Sequence, residues 1–485
     1  MLNLPITRQI LPALSAALFL SSCGSNLLRS DQAGIISWQA EFIGGEANPV
    51  VMGDTLYLAS RDGAIQAFDS RTGKRKWRYQ TGEQLPDSNI MMVPPGTDLA
   101  TIDALVGQRL AKGRRSIDAT PLVDGDTVYV GSNDHSFYAL DTATGQKKWA
   151  FRFENEIHIQ AILQGGTVFI APHDGFVHAL DAASGNRKWV SHTPKGPDVR
   201  PQLRFCFSGG TIYVTSIWPY FRQGGGNVIY ALDSKTGKQR WLLRVDGRDV
   251  SAPIKAGELV LFSTREGNDA YLYAVDATTG KRKWQYETTS GQSVSPPYVA
   301  DNLVYFSTRE KFVALELVSG KERWSFDGDI ASNPKIHADK QFIYVELGRQ
   351  TRDGYRVNTI HALDPTTGQE KWSKSCGSNC GMRILLVQDR ALYVGSGSAP
   401  NQVAALFGSS YGSHSLVGID AGSGNTMWEL KIEGGALSRP AIGNGMLFTF
   451  SQTLEYIGKR PTQGYLYAID LAKLPTAKSE SSTRD

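Results

Sequence analysis

The sequence predicts an all-β protein, a single β-propeller of four-stranded blades, and three observations carry this prediction. Gly is abundant, with 50 among 485 residues, and aromatic and β-branched residues come in short bursts between Gly, Asp and Asn. One phrase, an Ala-Leu-Asp strand followed by Thr-Gly and then Trp, recurs along the chain. One strand that contains a Trp precedes the first copy of the phrase, and the last copy of the phrase lacks its Trp. A unit of about forty residues repeated in this way is typical of propellers.

The repeated phrase places Gly after Asp, and Trp after Gly, at fixed spacings. Its full copies are Asp69/Gly73/Trp77, Asp141/Gly145/Trp149, Asp181/Gly185/Trp189, Asp233/Gly237/Trp241, Asp276/Gly280/Trp284, Asp364/Gly368/Trp372 and Asp420/Gly424/Trp428. A degenerate copy has Glu316 in place of Asp, with Gly320 and Trp324. Asp caps the N–H groups of a turn and Gly accepts positive φ, so we interpret the Asp residues as turn formers rather than a catalytic array. Each Trp is expected to pack between neighbouring units.

Each unit contains an inner strand, a second strand, a third strand that ends in Asp, and an outer strand with the Trp. Ile35-Ile36-Ser37-Trp38 is an outer strand without a preceding unit, whereas the copy at Ala468-Ile469-Asp470 has no outer strand. We therefore predict that the N-terminal strand completes the last blade. This counts nine blades; the alternative is eight, with one unit folded differently.

The first residues are interpreted as a lipoprotein signal peptide, residues 1–22. Arg8 supplies a thin positive region and the apolar run from Ile10 to Leu20 follows it. Leu20-Ser21-Ser22-Cys23 resembles the bacterial lipobox, which implies lipid attachment at Cys23, and the absence of Asp after Cys23 implies export to the outer membrane. A plain signal peptide or a short membrane helix is the alternative, although the apolar run is short for a membrane span.

The remaining boundaries follow from composition. We expect a tether at residues 23–34, the propeller at residues 35–472 with a long insertion at about 80–117, and a polar, disordered tail at residues 473–485. The formal net charge is +4, and Lys and Arg are scattered along the sequence. This distribution argues against a nucleic-acid surface and against a polybasic membrane patch.

The long connections are predicted to share one face of the disc. Blade strands alternate in direction, so turns from inner to second strand and from third to outer strand lie together, and these are tight. The other connections hold the insertions: the segment at about 80–117, Trp218 with Tyr220 and Phe221, Arg349 to Val357, Ala399 to His414 with Leu406 and Phe407, and Leu454 to Gln463. Elaboration of one face indicates a working surface, with aromatic residues as partner-binding anchors. The alternative is that these apolar segments pack on one another as caps.

The positions of the cysteine and histidine residues do not indicate a catalytic or metal-binding site. Cys376 and Cys380 lie four residues apart and are expected to form a small disulfide in an oxidising compartment; a metal site would need further ligands. Cys206 lies in an apolar strand and is expected to be an inert buried thiol. His173 and His178 have no evident third ligand. No catalytic, cofactor-binding or metal-binding residues are predicted, since no known catalytic motif is present.

Over about residues 35–472 the repeat resembles that of the quinoprotein (pyrroloquinoline quinone, PQQ) propellers. The lipobox, the single propeller and the lack of adjacent cysteines together resemble the BamB family of envelope lipoproteins. This resemblance implies a non-enzymatic scaffold, lipid-anchored at the periplasmic face of the outer membrane. Its implied partner is an envelope protein, the barrel-forming subunit of the outer-membrane assembly machinery. The implied contact segment follows the third Trp motif and contains Val199 and Arg200, although this chain is longer and has larger loops than the family pattern.

A second function remains open at this point. The propeller axis could serve a periplasmic quinoprotein dehydrogenase, which would bind PQQ and Ca²⁺, or a binder of another small ligand. In either case the active residues would come from distant loops, which sequence alone does not bring together.

Overall fold

A computed structural model shows a ring of antiparallel sheets. It describes residues 34–43, 47–82, 116–157, 161–172, 175–192, 202–217, 227–245, 250–266, 269–288, 295–308, 310–328, 336–350, 356–376, 380–398, 414–432, 437–452 and 463–474. Within these ranges the strands form nine four-stranded sheets, so the chain is a nine-bladed propeller. The count of nine is confirmed over the alternative of eight.

Each blade contains four consecutive strands except the last. Blades 1 to 3 are β2 (Val50–Met52), β3 (Thr55–Ala59), β4 (Ala64–Asp69) and β5 (Arg75–Gln80); β6 (Leu122–Asp124), β7 (Thr127–Gly131), β8 (Ser136–Asp141) and β9 (Lys147–Arg152); and β10 (Ile162–Gln164), β11 (Thr167–Ile170), β12 (Phe176–Asp181) and β13 (Arg187–His192). Blades 4 to 6 are β14 (Gln202–Ser208), β15 (Thr211–Ile217), β16 (Asn227–Asp233) and β17 (Gln239–Val245); β18 (Ile254–Ala256), β19 (Leu259–Glu266), β20 (Asp269–Asp276) and β21 (Arg282–Thr288); and β22 (Tyr298–Ala300), β23 (Leu303–Ser307), β24 (Lys311–Glu316) and β25 (Glu322–Asp327).

Blades 7 and 8 are β26 (Ile336–Ala338), β27 (Ile343–Gln350), β28 (Arg356–Leu363) and β29 (Glu370–Lys374); and β30 (Cys380–Gln388), β31 (Ala391–Ser398), β32 (His414–Asp420) and β33 (Thr426–Ile432). Blade 9 is β34 (Ala441–Gly443), β35 (Met446–Gln452), β36 (Gln463–Asp470) and the N-terminal strand β1 (Ile36–Ile43), and a short 3₁₀ helix, Leu471–Lys473, follows it. The strands were predicted in this order.

The core lies between neighbouring blades. Second and third strands are buried on both faces, because a propeller blade is covered by another sheet on each side; β7, for example, is buried at every position. One hydrophobic cluster joins blades 1 and 2 through Tyr57, Trp77, Val128 and Tyr138. Outer strands alternate instead, as in β9, where Trp149 is buried between exposed neighbours. The alternation places each Trp towards the next blade.

The Trp-to-turn contact repeats around the ring. The indole N–H of each Trp donates a hydrogen bond of 2.9–3.0 Å to a backbone carbonyl in the motif turn of the next blade. The donors are Trp38, Trp77, Trp149, Trp189, Trp241, Trp284, Trp324 and Trp372. The ring of the same Trp covers the Gly of that turn: a methyl group on Gly185 would lie 2.6 Å from the Trp149 ring. Gly185 also has φ of 74°, so this position needs glycine for two reasons.

The N-terminal strand closes the ring, as predicted. β1 pairs antiparallel with β36, from Ile36 beside Ile469 to Ile43 beside Gln463. The Trp38 indole N–H donates to the Ser70 carbonyl of blade 1, and the Asn444 amide donates to the Gly53 carbonyl of blade 1. The Trp38 contact joins the last blade to the first in the same way as the neighbouring pairs from blades 1 and 2 to blades 7 and 8 are joined.

The seam between blades 8 and 9 departs from the repeat. The residue opposite the Trp is Ala in the other eight blades but Gly418 in blade 8. The Trp428 ring lies over Gly418, 2.2 Å from where a methyl group would stand. The turn of blade 9 is replaced by the 3₁₀ helix, and Leu471 and Leu474 pack in the cluster that contains Trp428. In the described part of the chain Trp428 is accordingly outside the series of cross-blade hydrogen bonds.

Two faces of the disc follow from strand direction. The turn face carries the turns from inner to second strands, such as Gly53–Asp54, and from third to outer strands, such as residues 70–74. The loop face carries the connections from second to third strands and from one blade to the next. The long connections, between Gln80 and Leu122, Ile217 and Asn227, Ser398 and His414, and Gln452 and Gln463, all join strand ends on the loop face. The expected Arg349–Val357 insertion is shorter than predicted, because Arg349 pairs with Val357 and Gln350 with Arg356 as strand.

Candidate functional site: the two faces of the disc

The motif carboxylates are held by the turns that they cap. The Asp181 carboxylate accepts hydrogen bonds of 3.0 Å from both the backbone N–H and the hydroxyl of Ser184, and Lys188 lies 3.1 Å away. The Ser184 backbone N–H, followed by Lys188, lowers the pKa of Asp181 to about 2. Arg240 and Thr236 do the same for the pKa of Asp233, and Thr279 for that of Asp276, each to about 2. These carboxylates are turn caps that are ionised at neutral pH, which confirms their interpretation as turn formers.

Blade 6 breaks this pattern at Glu316. The longer side chain accepts from the Ser319 hydroxyl at 2.8 Å and pairs with Arg323 at 3.4 Å, but caps no backbone N–H of its turn. The same turn contains Val318, which is 80% exposed. A cavity of about 490 Å³ lies beside it on the turn face, lined among others by Asp301, Tyr305 and Pro365. It combines apolar walls with an acidic rim and has no organised set of catalytic groups.

All of the predicted partner contacts, and several other predicted sites, lie outside the described residues. These are Val199, Arg200, Trp218, Tyr220, Phe221, Leu406 and Phe407, together with Cys23, His173 and the insertion from residue 83 to 115. The strands do bring their connections to one face: the segments between β13 and β14, β15 and β16, and β31 and β32 all leave the loop face. Val199, Arg200, Trp218, Tyr220 and Phe221 belong to two connections of neighbouring strands in and around blade 4, whereas Leu406 and Phe407 belong to blade 8.

Buried polar groups concentrate at the loop-face ends of the strands. The Ser251 hydroxyl accepts from the Ser263 backbone N–H at 3.0 Å, and the Ser295 hydroxyl accepts from the Ser307 backbone N–H at 2.9 Å. The Glu346 carboxylate of blade 7 accepts from the Ile384 N–H of blade 8 at 2.6 Å. The two Ser bonds hold the segment before each inner strand against the second strand of the same blade, and the Glu346 bond joins blade 7 to blade 8.

Several buried polar atoms at this same end have no hydrogen-bond partner among the described residues. They are Asn133 Oδ1, Ser216 Oγ, Thr264 Oγ1, Arg265 Nε, Asn358 Oδ1 and Ser451 Oγ. Buried polar atoms in folded proteins are usually paired with protein or with water. Ordered water is therefore the expected partner of these atoms at the loop-face ends of blades 2, 4, 5, 7 and 9.

The cysteines and histidines show no catalytic arrangement in the described residues. Cys376 is disulfide-bonded, and its pairing with Cys380 stays a prediction. Cys206 is a free thiol whose pKa is raised to about 11 by burial, as suits an unreactive group. His178 is buried against Phe153, with ring centres 4.9 Å apart. Over the described ranges, no three His, Cys, Asp or Glu residues are grouped as metal ligands, and no helix is both long and apolar enough to cross a membrane.

Sequence reasoning missed the gathering of basic residues on the turn face. Lys and Arg are spread along the sequence, yet one place in the repeat, between the turn Gly and the Trp, holds them repeatedly: Lys74, Arg75 and Lys76 in blade 1, and Lys281, Arg282 and Lys283 in blade 5. Because this place recurs at the start of every outer strand, the fold brings these residues to one rim. Aligning the repeats by their Trp would have revealed it.

The comparisons with known proteins agree with the repeat. The family model described as outer membrane protein assembly factor BamB matches residues 8–191, 196–334 and 356–473. BamB of Burkholderia pseudomallei is 30% identical over 112 residues, which are 22% of this chain and 29% of that protein. The alignment thus spans less than a third of that relative's length.

Two solved structures are similar to the chain at low sequence identity. The crystal structure of BamB from Moraxella catarrhalis is 14% identical, with a TM-score of 0.47, covering 89% of this chain and 99% of that one. A europium-containing methanol dehydrogenase is 15% identical, with a TM-score of 0.52, covering 90% of this chain and 93% of that one. The second likeness shows the propeller fold and no more. Because the family model matches nearly the whole ring, the chain belongs to the BamB family of outer membrane protein assembly factors.

Proposed function

We propose that this chain is a lipid-anchored, non-enzymatic scaffold of the bacterial envelope that serves outer-membrane β-barrel assembly by holding a partner protein on its loop face. Cys23 is the proposed lipid attachment site at the periplasmic face of the outer membrane. The observation that carries the proposal is the confinement of every long connection to the loop face, while the turn face keeps minimal turns. A repeat needs only tight turns to fold, so one-sided elaboration is explained by binding.

The composition of the loops supports a protein partner. Trp218, Tyr220 and Phe221 are residue types that dominate protein interfaces, and Arg200 can donate to a carboxylate of the partner. The proposed partner is the barrel-forming subunit of the assembly machinery; the relatives' name, outer membrane protein assembly factor, supports a role in that assembly in general.

The test is capture of partners by crosslinking in intact cells, with loop residues replaced in two groups. Substituting Trp218, Tyr220 and Phe221 with Ser removes the aromatic anchors, and substituting Val199 and Arg200 with Ser removes the second contact segment. We expect each group to reduce recovery of the barrel-forming subunit by at least about tenfold, since truncating an interface anchor costs about 2 kcal/mol or more.

The matched control replaces exposed apolar residues on the turn face. Met52 and Val318 are 40% and 80% exposed there, and substituting both with Ser should leave partner recovery unchanged. Unchanged recovery after both loop replacements would remove the proposal, whatever the control shows. Loss in the control variant alone would place the partner on the turn face instead.

The dehydrogenase alternative has its own measurement. The chain has no adjacent cysteine pair, so we expect no saturable change in absorbance when PQQ and Ca²⁺ are added to the purified protein. Saturable binding accompanied by dye-linked alcohol oxidation would contradict the scaffold function and establish an enzyme.

A further inference from the structure

The basic residues of the turn face form a continuous arc over blades 1 to 5. Each outer strand starts at the turn face, and its first residues are exposed there before the chain reaches the buried Trp. The exposed cations of this arc, hereafter the basic arc, are Arg71, Lys74, Arg75, Lys76, Lys147, Lys148, Arg187, Lys188, Lys235, Lys238, Arg240, Lys281, Arg282 and Lys283.

Part of the basic arc neutralises the motif carboxylates. The residue before the Trp pairs with the motif Asp of its own blade, as Arg240 does with Asp233 at 2.6 Å and Lys283 with Asp276 at 3.3 Å. Eight cations of the basic arc form no ion pair with any described residue: Lys74, Arg75, Lys147, Arg187, Lys235, Lys238, Lys281 and Arg282. The acids without an ion pair at the inner turns of these blades are Asp124 and Glu258. The arc therefore has a surplus of positive charge.

The arc ends where the remaining blades begin. Blade 6 has Glu322, and blade 7 has Glu370, at the place that Arg75 and Lys147 occupy in blades 1 and 2. Blade 8 has Asn425 and Thr426 between its Gly and Trp, without any cation. The charge is thus a property of one side of the ring and not of the repeat as such.

The N-terminal end of the described chain lies at the same face. The Ile35 carbonyl accepts from the Asp470 backbone N–H, where the third strand of blade 9 ends, and Trp38 then covers Gly73 in the turn of blade 1. The residues that precede Gly34 consequently join the disc at the turn face, beside blade 1, where the basic arc begins.

We propose that the basic arc binds the surface of a membrane rich in anionic lipid. Lys and Arg held near such a surface are attracted individually, and their effects add while they remain within a Debye length. The turns of this face are short, so the cations are presented on a shallow surface that suits a planar partner better than a folded peptide. The turn face would then lie on the membrane, and the loop face, where the proposed scaffold holds its partner, would point away from it.

The test is cosedimentation of the chain from Gly24 onward, made without lipid, with vesicles of phosphatidylcholine and phosphatidylglycerol. We expect binding to these vesicles, weakening at high salt, and no binding to phosphatidylcholine alone. The variant Arg75→Glu, Lys147→Glu, Arg282→Glu should partition at least about tenfold less onto the anionic vesicles.

A charge-matched variant separates the arc from net charge. Arg152→Glu, Arg244→Glu, Lys431→Glu makes the same change at exposed residues on the loop-face ends of outer strands, and it should retain most binding. Equal loss in both variants, no binding to anionic vesicles, or binding only to an acidic polypeptide such as polyglutamate would overturn the proposal. Since neither anchor nor partner is present, this result is independent of the partner-capture experiment, and equal melting temperatures confirm that both variants are folded.

Discussion

At the scale of single residues, the Trp indole has two separate roles at each seam. Its ring covers the Gly of the next blade, and its N–H satisfies a carbonyl of the same turn, as Trp149 does for Ala182 at 3.0 Å. Trp428 is buried to a similar degree but does not belong to the cross-blade series. Trp428 is therefore a comparison, within the same chain, for a buried Trp that lacks the cross-blade indole hydrogen bond.

Substituting Trp241 with Phe should destabilise the protein more than substituting Trp428 with Phe. Both changes shrink a buried ring, but only the first leaves a buried carbonyl, that of Ala277, without its indole donor, which should add about 1 kcal/mol to the loss of unfolding free energy. Denaturant unfolding of the two variants measures the difference. Equal losses would show that the indole N–H contributes nothing beyond packing.

The motif carboxylates predict how stability depends on pH. The folded-state pKa of Asp181, Asp233 and Asp276 is about 2, below the value of about 3.9 for an unfolded Asp. Their contribution to stability is complete above the unfolded value and is lost as pH falls through the folded value. We expect the melting temperature to fall between about pH 4 and pH 2, and the variant Asp181→Asn to be less stable at pH 7 with a shallower fall. An equally steep fall would refute this origin.

At the scale of strands and turns, the glycine of the motif turn is constrained by its neighbour as well as by its backbone. Gly185 and Gly166 belong to the same blade and have φ of 74° and 65°. A methyl group on Gly185 would lie 2.6 Å from the Trp149 ring, whereas one on Gly166 would have no atom within 4 Å. Comparing Ala substitutions at the two positions therefore separates the cost of a positive φ from the cost of crowding against the Trp149 ring.

We expect Gly166→Ala to cost about 1 kcal/mol of unfolding free energy through positive φ alone. Gly185→Ala should cost about 1–3 kcal/mol more, because the Trp149 ring must move from its seam. Thermal or denaturant unfolding of the pair gives the comparison, and near-ultraviolet circular dichroism should change only for Gly185→Ala. Similar losses of unfolding free energy in the two variants would mean that the Trp149 ring moves aside at no cost.

Strand assignment from the sequence succeeded wherever the repeat kept its phrase. The Asp-to-Trp spacing places β8 and β9 correctly because turn and outer strand are both local features. It failed for residues 349–357, where polar Arg349 and Gln350 continue a strand beyond its apolar part and pair with Arg356 and Val357. The effect of having Gly418 where other blades have Ala could not be predicted either. It depends on Trp428 and on the turn that the 3₁₀ helix replaces in blade 9.

At the scale of the whole molecule, the ring depends on β1. Without it, the third strand of blade 9 would be an open edge, and the cluster around Phe450 would lose Phe42 and Trp38. We expect a chain beginning at residue 44 to associate through this edge, whereas one beginning at residue 34 remains monomeric. Size-exclusion chromatography with light scattering measures this, and adding a peptide of residues 34–43 should restore the monomer. A monomeric truncated chain would show that the ring closes without β1.

The faces of the disc were predictable in their topology but only partly in their chemistry. Strand alternation assigns each connection to a face from the sequence alone, because that rule needs only the order of strands. The collection of Lys147, Arg187 and Lys238 into one arc was not foreseen, since residues far apart in sequence become neighbours only through the closed ring. The same limit applies to the unpaired polar atoms, whose burial depends on neighbouring blades.

The pairing of β1 with β36 sets the order in which the molecule can be completed. Ser37 and Met446 are in contact across a separation of 409 residues, so the earliest-made strand has no partner until the latest-made strands exist. Because synthesis runs from the N-terminus, this segment stays unpaired until the other eight blades and the last three strands have been made, and closure carries a high loop-closure entropy cost. Until β36 exists the ring has an unsatisfied edge, and this is the stage at which a chaperone would have its greatest effect.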